Sequence, residues 1–578
     1  MASYRKRRRR KKKALAWIIV LAIILVAAAA VFGIIYYNKK APSKTVTDLE
    51  YYYNLKINAM EGRDAAASDE LAIVLENEIL TERAFESDGE VYISHSLVKD
   101  SIDERFYYDS NEELLIVTNA EQVITAGLDQ SYIDIDGTQE SKDYVVFTEK
   151  KGEIYIAADF VSEYSSAGYE VFEDPARIVI TYKTGEKTFV DVTKKTSQIR
   201  VLGGIKSEIV GSVEEGDKLQ VIDDLDDWLR VVSEEGWIGY IPVSAVSEQY
   251  TETITSDYNE PEYTSLKMDE PVKLAWASTY STGANDSYST YTANSDGIIN
   301  VYCPTWYFLA DTEGTVTMTS DSYYVDKAHE DGYAVWALFA DEDYEYAEQV
   351  LTHTSVRQSV EDQVINNMLE IGVDGLNVDF ERIDSGYGDD FIQFIRELSI
   401  KCRANGLYLS VDNYTPYDYN ACFHIEEQSR LCDYVILMAY DDYVGSGEAG
   451  PNSSLPFIRE ALELSISKVD ESKLICALPF YSRVWTTESD GTLSRTEYTM
   501  SNGWSLLNQV GVSADWDDEL GVYYAEYTSG SKTIQAWLED EDTIRAKLEL
   551  TKEFDLAGVA FWQYGQELSA VWDVIAEY

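Results

Sequence analysis

The hydrophobic pattern divides the chain into segments, and the first is an uninterrupted apolar run over residues 14–37. At about 1.5 Å per residue, this run is long enough to cross a hydrocarbon core of roughly 30 Å. Nine basic residues precede it, Arg5 to Lys13, and such clusters stay on the cytoplasmic side of a membrane. A cleaved signal peptide with a small-residue site at Ala27 to Ala30 is the alternative, although the run exceeds a usual signal core. We expect a cytoplasmic tail over residues 1–13, an uncleaved transmembrane helix, and a polar stalk over residues 38–67.

Residues 68–194 contain an internal repeat. Gly89-Glu90-Val91-Tyr92-Ile93 recurs as Gly152-Glu153-Ile154-Tyr155-Ile156, and Leu115-Ile116-Val117-Thr118 recurs as Ile178-Val179-Ile180-Thr181. Each copy begins with a short strand and ends in a β-rich run, which predicts two related α+β units packed together. The pattern resembles the stalk domains named after the amino terminus of copper amine oxidase. That resemblance implies no copper here, because the histidines form no cluster.

Residues 195–247 alternate as five short strands separated by turns, which predicts a small all-β barrel. The endings at Trp228 and at Gly236-Trp237-Ile238 resemble those of the bacterial SH3-like domain. The resemblance implies attachment to the cell wall, and a purely structural spacer is an equally open interpretation. Residues 248–269 are polar and contain Pro261, as is typical of a linker.

From residue 270 to 578 apolar strand patterns alternate with helical ones, which predicts a (β/α)8 TIM barrel. Long stretches such as 360–371, 390–404 and 543–554 have the helical period. An aromatic-rich segment at about 484–531 exceeds a normal connection, so we expect a small α+β insertion there. The predicted strands are Val272 to Ala277, Ile298 to Tyr302, Tyr333 to Phe339, Val373 to Phe380, Leu407 to Val411, Tyr434 to Ala439, Leu474 to Leu478 and Gly558 to Trp562.

Composition restricts the classes of partner and cofactor that the chain is expected to bind. The formal net charge is −56, while every charge before residue 41 is basic. An acidic body repels phosphate backbones, which argues against nucleic-acid binding but does not oppose a neutral polysaccharide. Five cysteines and four histidines lack metal-ligand spacing. We therefore predict buried thiols, no metal and no cofactor.

The stretch from Asp374 to Glu381 carries the candidate chemistry. On a strand, Asn377, Asp379 and Glu381 share one face, while the residues between them are apolar. Burial disfavours the charged form of a carboxyl group and can keep a glutamic acid protonated at neutral pH. Glu381 is therefore the candidate general acid. A solvated strand end with chance acids is the alternative in a chain with 103 Asp and Glu.

Other predicted strands end in side chains suited to a sugar groove. Aromatic faces stack on sugar rings, and the carboxyl ends of barrel strands line the active-site mouth. The candidate substrate-binding residues are Trp306, Asn413, Tyr481 and Trp562. The candidate residues after the sixth strand are Tyr440 and Asp441.

The spacing Asp374-x-x-Asn377-x-Asp379-x-Glu381 resembles the Asp-x-x-Asp-x-Asp-x-Glu signature of glycoside hydrolase family 18, the chitinase-like family. Met438-Ala439-Tyr440-Asp441 resembles its Met-x-Tyr-Asp motif, and Trp562 resembles the tryptophan beneath the scissile sugar. The family hydrolyses with retention, using the substrate's own acetamido group as nucleophile.

The resemblance implies that Glu381 is the acid, that Asp379 orients the acetamide and that Tyr440 donates to its oxygen. Asp374 and Asp441 are expected to support the site. Asn377 departs from the signature, because a neutral amide can orient Asp379 but cannot carry the charge that an aspartate would.

We thus expect a membrane-anchored, extracytoplasmic glycosidase that cleaves β-1,4 bonds beside N-acetylated amino sugars. Peptidoglycan is the favoured substrate because the anchor and the SH3-like segment would hold the site near the wall; chitin-type oligomers are second. A catalytically silent glycan-binding protein, acting in adhesion with the same groove, is the alternative.

Overall fold

The computed structural model describes residues 2–56, 64–293, 295, 297–444 and 447–578. The chain forms two compact units: an N-terminal unit of Met1–Asp103 and Tyr144–Asn259, and a barrel unit of Glu104–Asp143 and Glu260–Tyr578. The basic side chains of the tail, and residues 57–63 of the expected stalk, lie outside the described part.

The chain begins with a long helix, Ala2–Lys40. Its segment Ala16–Tyr37 has 22 residues, a mean hydropathy of 3.3 and exposed side chains. Its length and composition suit a membrane span, and a signal sequence near an N-terminus meets the same criteria.

One seven-stranded sheet of the N-terminal unit contains the first repeated motif twice. The two copies are neighbouring antiparallel strands, with Ile93 opposite Ile156. Helices Leu49–Tyr52, His95–Leu97 and Ala158–Tyr164 also belong to this unit. In spatial order the strands are Gly168–Glu173, Ala176–Thr181, Glu70–Leu75, Glu78–Ser87, Glu90–Ser94, Glu153–Ala157 and Phe147–Lys150.

The two copies of the second motif lie in different units, whereas the prediction placed them in one domain. Ala176–Thr181 lies in the N-terminal unit, whereas Leu114–Thr118 lies in the barrel unit. It belongs there to an antiparallel meander whose strands pair in chain order. The range 68–194 is therefore not a single domain. The strands of the meander are Phe106–Asp109, Leu114–Thr118, Val123–Gly127, Tyr132–Ile135 and Thr138–Ser141.

A second seven-stranded sheet of the N-terminal unit contains the five strands expected for the SH3-like segment. Two further strands, Gly185–Asp191 and Tyr250–Ile254, pair with each other at its edge, with Phe189 opposite Tyr250. The predicted bounds of 195–247 are thus too narrow, and the predicted linker begins with a strand. In spatial order the strands are Ile209–Glu214, Thr196–Arg200, Ile238–Pro242, Trp228–Ser233, Lys218–Leu225, Gly185–Asp191 and Tyr250–Ile254.

The barrel unit confirms the expected (β/α)8 architecture. Eight parallel strands neighbour one another in chain order, and the first closes the barrel by pairing with both the second and the eighth. A short strand, Val316–Met318, extends the sheet beside the second. The barrel strands are β1 (Val272–Ala277), β2 (Val301–Leu309), β3 (Ala334–Ala340), β4 (Gly375–Asp379), β5 (Tyr408–Asn413), β6 (Tyr434–Met438), β7 (Leu474–Pro479) and β8 (Gly558–Trp562).

Because successive side chains of the barrel strands point to opposite faces, they pack into two separate hydrophobic clusters. Leu376 and Val378 of β4 join the large cluster beneath the helices, whereas Trp276, Trp336 and Ile436 belong to the cluster inside the barrel. The inner face of β4 therefore presents its polar residues to the barrel interior. The helices of this unit are Tyr288–Thr292, Ser322–Glu330, Tyr344–Leu351, Thr354–Ile371, Gly388–Asn405, Ile425–Leu431, Leu455–Ile466, Met500–Val510, Glu541–Thr551 and Ala570–Ala576.

The predicted α+β insertion between β7 and β8 is present and wider than expected. It spans Tyr481–Thr487 to Lys532–Leu538, because these two strands pair, with Arg483 opposite Trp537. The helix Met500–Val510 packs on this sheet. In spatial order its strands are Leu493–Thr499, Tyr481–Thr487, Lys532–Leu538, Val522–Ser529 and Asp515–Asp517.

Candidate active site

A pocket of about 180 Å³ lies at the carboxyl ends of the barrel strands, the position at which such barrels place their active sites. Polar and aromatic side chains from four strands and from the insertion converge on it. The lining residues are Asp379, Glu381, Asp412, Tyr414, Met438, Tyr440, Asp441, Tyr481, Glu497, Trp562 and Gln566.

Asp379 is the last residue of β4 and is half-buried. Its Oδ1 is buried and has no hydrogen-bond partner among the described residues. Burial raises the pKa of Asp379 well above its ordinary value, and the neighbouring charges of Asp412, Glu381 and Asp341 raise it further. Asp379 thus lines the pocket and carries one acceptor atom that is unpaired within the described residues.

Glu381 follows the end of β4 and is exposed, so the burial that the strand pattern predicts for it is absent. Asp341 fixes its backbone: Oδ1 accepts from the Glu381 amide at 3.0 Å, and Oδ2 accepts from the Arg382 amide at 2.7 Å. The Tyr414 hydroxyl donates to Oε2 of Glu381. The Glu381 carboxyl group therefore faces solvent while its main chain is held in place.

Asn377 lies inside the barrel and is fully buried. Its Oδ1 accepts from Trp276 Nε1 at 2.9 Å and lies 3.5 Å from the Cys303 Sγ. Its Nδ2 donates to Ser410 Oγ at 3.1 Å and to Asp412 Oδ1 at 2.8 Å. The amide thus joins β4 to β1, β2 and β5.

Sequence reasoning missed Asp412, which is 3% exposed and lines the pocket beside Asp379 and Glu381. Burial raises the pKa of Asp412 well above its ordinary value, whereas the hydrogen bond from Asn377 opposes the shift. A signal was present: Leu409 and Val411 mark the outer face of β5, so Ser410 and Asp412 face inward.

Tyr440 and Tyr481 form one wall of the pocket, with ring centroids 6.3 Å apart. Burial and the charges of nearby acids raise the pKa of Tyr440 well above its ordinary value, which keeps its hydroxyl a donor. Tyr481 donates to Asp441 Oδ1 at 2.8 Å, and the buried Arg483 guanidinium also donates to that atom. Arg483 also donates to Glu497 at 3.2 Å.

Trp562, the last residue of β8, contributes an aromatic surface to the pocket. It packs against Trp276 with centroids 5.6 Å apart. Gln566 lines the same region, and its Oε1 is buried without a hydrogen-bond partner among the described residues. An aromatic surface beside polar groups is suited to a sugar ring.

Three predicted site residues lie elsewhere. Trp306 is fully buried in the core, where Nε1 donates to Asn285 at 3.0 Å, so it cannot contact substrate. Asn413 points outward and exchanges hydrogen bonds with Gln428, so it does not line the acidic pocket. Asp374 precedes β4 and accepts from the Val335 amide at 2.7 Å, a supporting position at the opposite end of the strand.

Within the described ranges, no group of three or more His, Cys, Asp or Glu side chains is arranged to hold a metal ion. All five cysteines are free thiols, and four of them are buried. The absence of a cofactor stays a prediction.

The geometry suits acid-assisted cleavage beside an amide. An exposed carboxyl group, Glu381, can protonate a leaving oxygen, and the open acceptor of Asp379 can bind an N–H group. Tyr440 supplies a hydroxyl donor on the facing wall, and Trp562 an apolar surface.

Comparison with known proteins identifies the family of part of the barrel. Residues 336–567 match the model of the family "Glycosyl hydrolases family 18". The uncharacterized glycosylase YvbX of Bacillus subtilis (strain 168) is 24% identical over 316 residues, which cover 51% of this chain and 89% of that protein.

The cortical fragment-lytic enzyme of the same organism is 22% identical over 243 residues, covering 39% of this chain and only 55% of the relative. Among solved structures, a chitinase from Chromobacterium violaceum ATCC 12472 has a TM-score of 0.47 at 19% identity, covering 53% of this chain and 98% of that one. The family match spans β3 to β8 and includes the Asp379 and Glu381 region. The chain therefore contains a glycoside hydrolase domain of family 18, which lies within its C-terminal barrel.

Proposed function

We propose that this protein is a membrane-anchored, extracytoplasmic glycosidase that hydrolyses β-1,4 linkages beside N-acetylated amino sugars. The observation that carries the proposal is the pairing of an exposed Glu381 with a half-buried Asp379 whose Oδ1 has no hydrogen-bond partner in the described part of the chain. Both line one pocket with Tyr440 and Trp562. The pocket thus offers an acid, an amide acceptor, a hydroxyl donor and an aromatic surface.

In the proposed mechanism, the acetamido oxygen attacks the anomeric carbon while the bond from that carbon to the leaving oxygen breaks. Glu381 transfers its proton to the leaving oxygen. Asp379 accepts a hydrogen bond from the acetamido N–H, and Tyr440 donates to the acetamido oxygen. The Glu381 carboxylate then takes a proton from water, which opens the cyclic intermediate and gives a product with retained configuration.

Peptidoglycan is the proposed substrate, and chitin-type oligomers are the second candidate. The apolar helix would anchor the chain with its N-terminus in the cytoplasm, and the SH3-like segment would bind the wall. The name of one relative, a cortical fragment-lytic enzyme, also favours a wall-type glycan.

A catalytically silent glycan-binding protein is the alternative, and Asn377 is the observation that favours it. An uncharged residue occupies the second acidic position of the signature. The two proposals differ in one result: the silent protein would bind glycan chains without shortening them.

The test uses a fragment comprising residues 41–578 with purified peptidoglycan, chitin oligomers and their de-N-acetylated forms. New reducing ends are counted for the wild type, for Glu381→Gln and for Glu370→Gln. Glu370 is a matched control, because it is an exposed acid at the end of the helix before β4, away from the pocket. We expect cleavage of N-acetylated substrates by the wild type and by Glu370→Gln only. Binding without new reducing ends would establish the silent alternative.

A further inference from the structure

The pocket contains a second buried carboxyl group that the mechanism above does not use. Asp412 is 3% exposed, lies on β5 and lines the pocket together with Asp379 and Glu381. A buried carboxylate is unfavourable unless it is paired or protonated. Its partners therefore indicate what it does.

The sheet register sets Asp412 beside Asp379. β4 and β5 are parallel, and their last registered pairs are Asn377 with Ser410 and Val378 with Val411. One residue further along, Asp379 and Asp412 occupy the same level on adjacent strands, about 4.8 Å apart along the hydrogen-bonding direction. Because Asn377 and Ser410 meet inside the barrel, the residues two positions later also face inward.

The side-chain amide of Asn377 supplies the acceptor and the donors that its neighbours require. The Trp276 indole N–H can only donate, so the atom of Asn377 that faces it is Oδ1. The amide group consequently points its two hydrogens at Ser410 and Asp412. An aspartate at position 377 would instead place like charge against Asp412. The residue pair 377 and 412 thus carries one amide and one carboxyl group.

Two neighbouring carboxyl groups in a buried site do not both ionise, and they titrate as a pair. The charge of Asp412 is the largest charge effect that raises the pKa of Asp379. The pair therefore favours a state in which only one of the two groups is ionised. Other ionisable groups face it as well: Glu381, Arg382, Asp341, Tyr280, Cys303, Tyr414 and Tyr440.

We propose that Asp412 is a positioning residue that shares one proton with Asp379 and supplies, from β5, the carboxyl group that the family signature places at position 377. The inference rests on the proposed glycosidase function. As positive charge develops on the acetamide, the proton leaves the Asp379 oxygen and binds to an oxygen of Asp412. Asp379 then accepts the N–H bond as a carboxylate. The pair's charge stays −1, and the proton returns when water opens the intermediate.

An exchange experiment tests this role. We compare wild type with Asp412→Asn, with Asn377→Asp and with the double variant Asn377→Asp/Asp412→Asn, measuring kcat, KM and the pH profile of kcat/KM. Asp412→Asn should lower kcat by roughly 100-fold, as for a misplaced reacting group, with little change in KM. The double variant restores one amide and one carboxyl group at exchanged positions. Its kcat should be at least ten-fold higher than that of Asp412→Asn, and its pH profile should be closer to that of the wild type.

Two results would overturn the proposal. One is a wild-type kcat and pH profile in Asp412→Asn. The other is a double variant, folded by circular dichroism, that is no more active than Asp412→Asn.

A second readout separates this inference from the proposed function. Infrared difference spectra of the wild type in D2O should show a protonated carboxyl band at neutral pH that Asp412→Asn lacks. If no substrate is cleaved and the band is present, the glycosidase proposal fails while the shared proton stands. If cleavage occurs and the band is the same in both proteins, the shared proton is wrong.

Discussion

At the scale of single residues, the site depends on a buried carboxyl group that does not touch the substrate pocket. Asp341 is 2% exposed and accepts the backbone amides of both Glu381 and Arg382. It thereby fixes the turn that carries the candidate acid beyond the end of β4. Burial raises the pKa of Asp341 from 3.8 to about 6. The carboxyl group that holds the backbone of Glu381 therefore changes its own protonation state with pH.

We predict that Asp341 makes stability fall as pH rises through the range from 3.8 to about 6. In this window the folded protein binds a proton that the unfolded chain has released, so raising the pH favours unfolding by up to about 3 kcal/mol. Asp341→Asn removes this dependence. Thermal melting between pH 4 and pH 7 measures it, with Glu370→Gln, a change at an exposed acid away from the pocket, as control. The assignment would be contradicted if the melting temperature depended on pH in the same way in the wild type and in Asp341→Asn.

The candidate site was predictable where alternation and order along the chain sufficed. Asp379, Glu381, Tyr440, Tyr481 and Trp562 all follow strands and meet in one pocket. Their convergence reflects the rule that carboxyl ends of barrel strands share one face.

Two errors have different physical causes. The second strand was predicted to end at Tyr302, but β2 continues to Leu309 and has an irregularity between Thr305 and Tyr307. Trp306 therefore packs into the core. Asn413 was chosen over Asp412 although Leu409 and Val411 already marked the outer face. The first error could be recognised only from the structure, whereas the second could have been avoided from the sequence.

At the scale of elements, β1 and β8 have the predicted bounds, Val272–Ala277 and Gly558–Trp562, because continuous apolar runs define fully buried parallel strands. The meander of Glu104–Asp143 could not be assigned to the barrel unit in this way. Its link depends on long-range hydrogen bonds: Asp109 Oδ2 accepts from the Thr354 amide at 2.8 Å and from its hydroxyl at 2.6 Å. Local pattern contains no information about such contacts.

Asp109 acts as an N-cap supplied from another part of the chain. The helix Thr354–Ile371 begins after His353, which makes no side-chain capping bond. We predict that Asp109→Ala destabilises the barrel unit by about 1 to 2 kcal/mol, as is typical for loss of a cap. Chemical denaturation of residues 41–578 measures the free energy of unfolding. Glu121→Ala, an exposed acid of the same meander, serves as control. Equal stability of the two variants would show that Asp109 does not cap this helix.

At the scale of the whole molecule, the proposed anchor and the acidic body have separate roles. The N-terminal segment Ala16–Tyr37 is apolar throughout, whereas the formal net charge of the chain is −56. An uncleaved helix would keep the glycosidase at the membrane, and a cleaved signal would release it. Similarity to curated relatives does not separate these outcomes, because it covers only 51% of the chain or less.

We predict that the full chain stays in the membrane fraction after alkaline carbonate washing, whereas residues 41–578 are soluble. The physical reason is that a 22-residue apolar helix spans about 33 Å, enough to cross a bilayer. Intact mass of the membrane-bound protein provides the second measurement. A soluble product that begins near Ala30 would instead identify a cleaved signal.

The central claim is that Glu381 and Asp379 form a retaining glycosidase site for N-acetylated glycans. The most direct measurement is time-resolved proton NMR of residues 41–578 acting on purified peptidoglycan fragments. We predict that the β-anomer of the new reducing end forms first and then mutarotates. We also predict that Glu381→Gln is slower by about 100-fold or more, as for loss of a general acid. Initial release of the α-anomer, or equal rates for wild type and Glu381→Gln, would contradict the account.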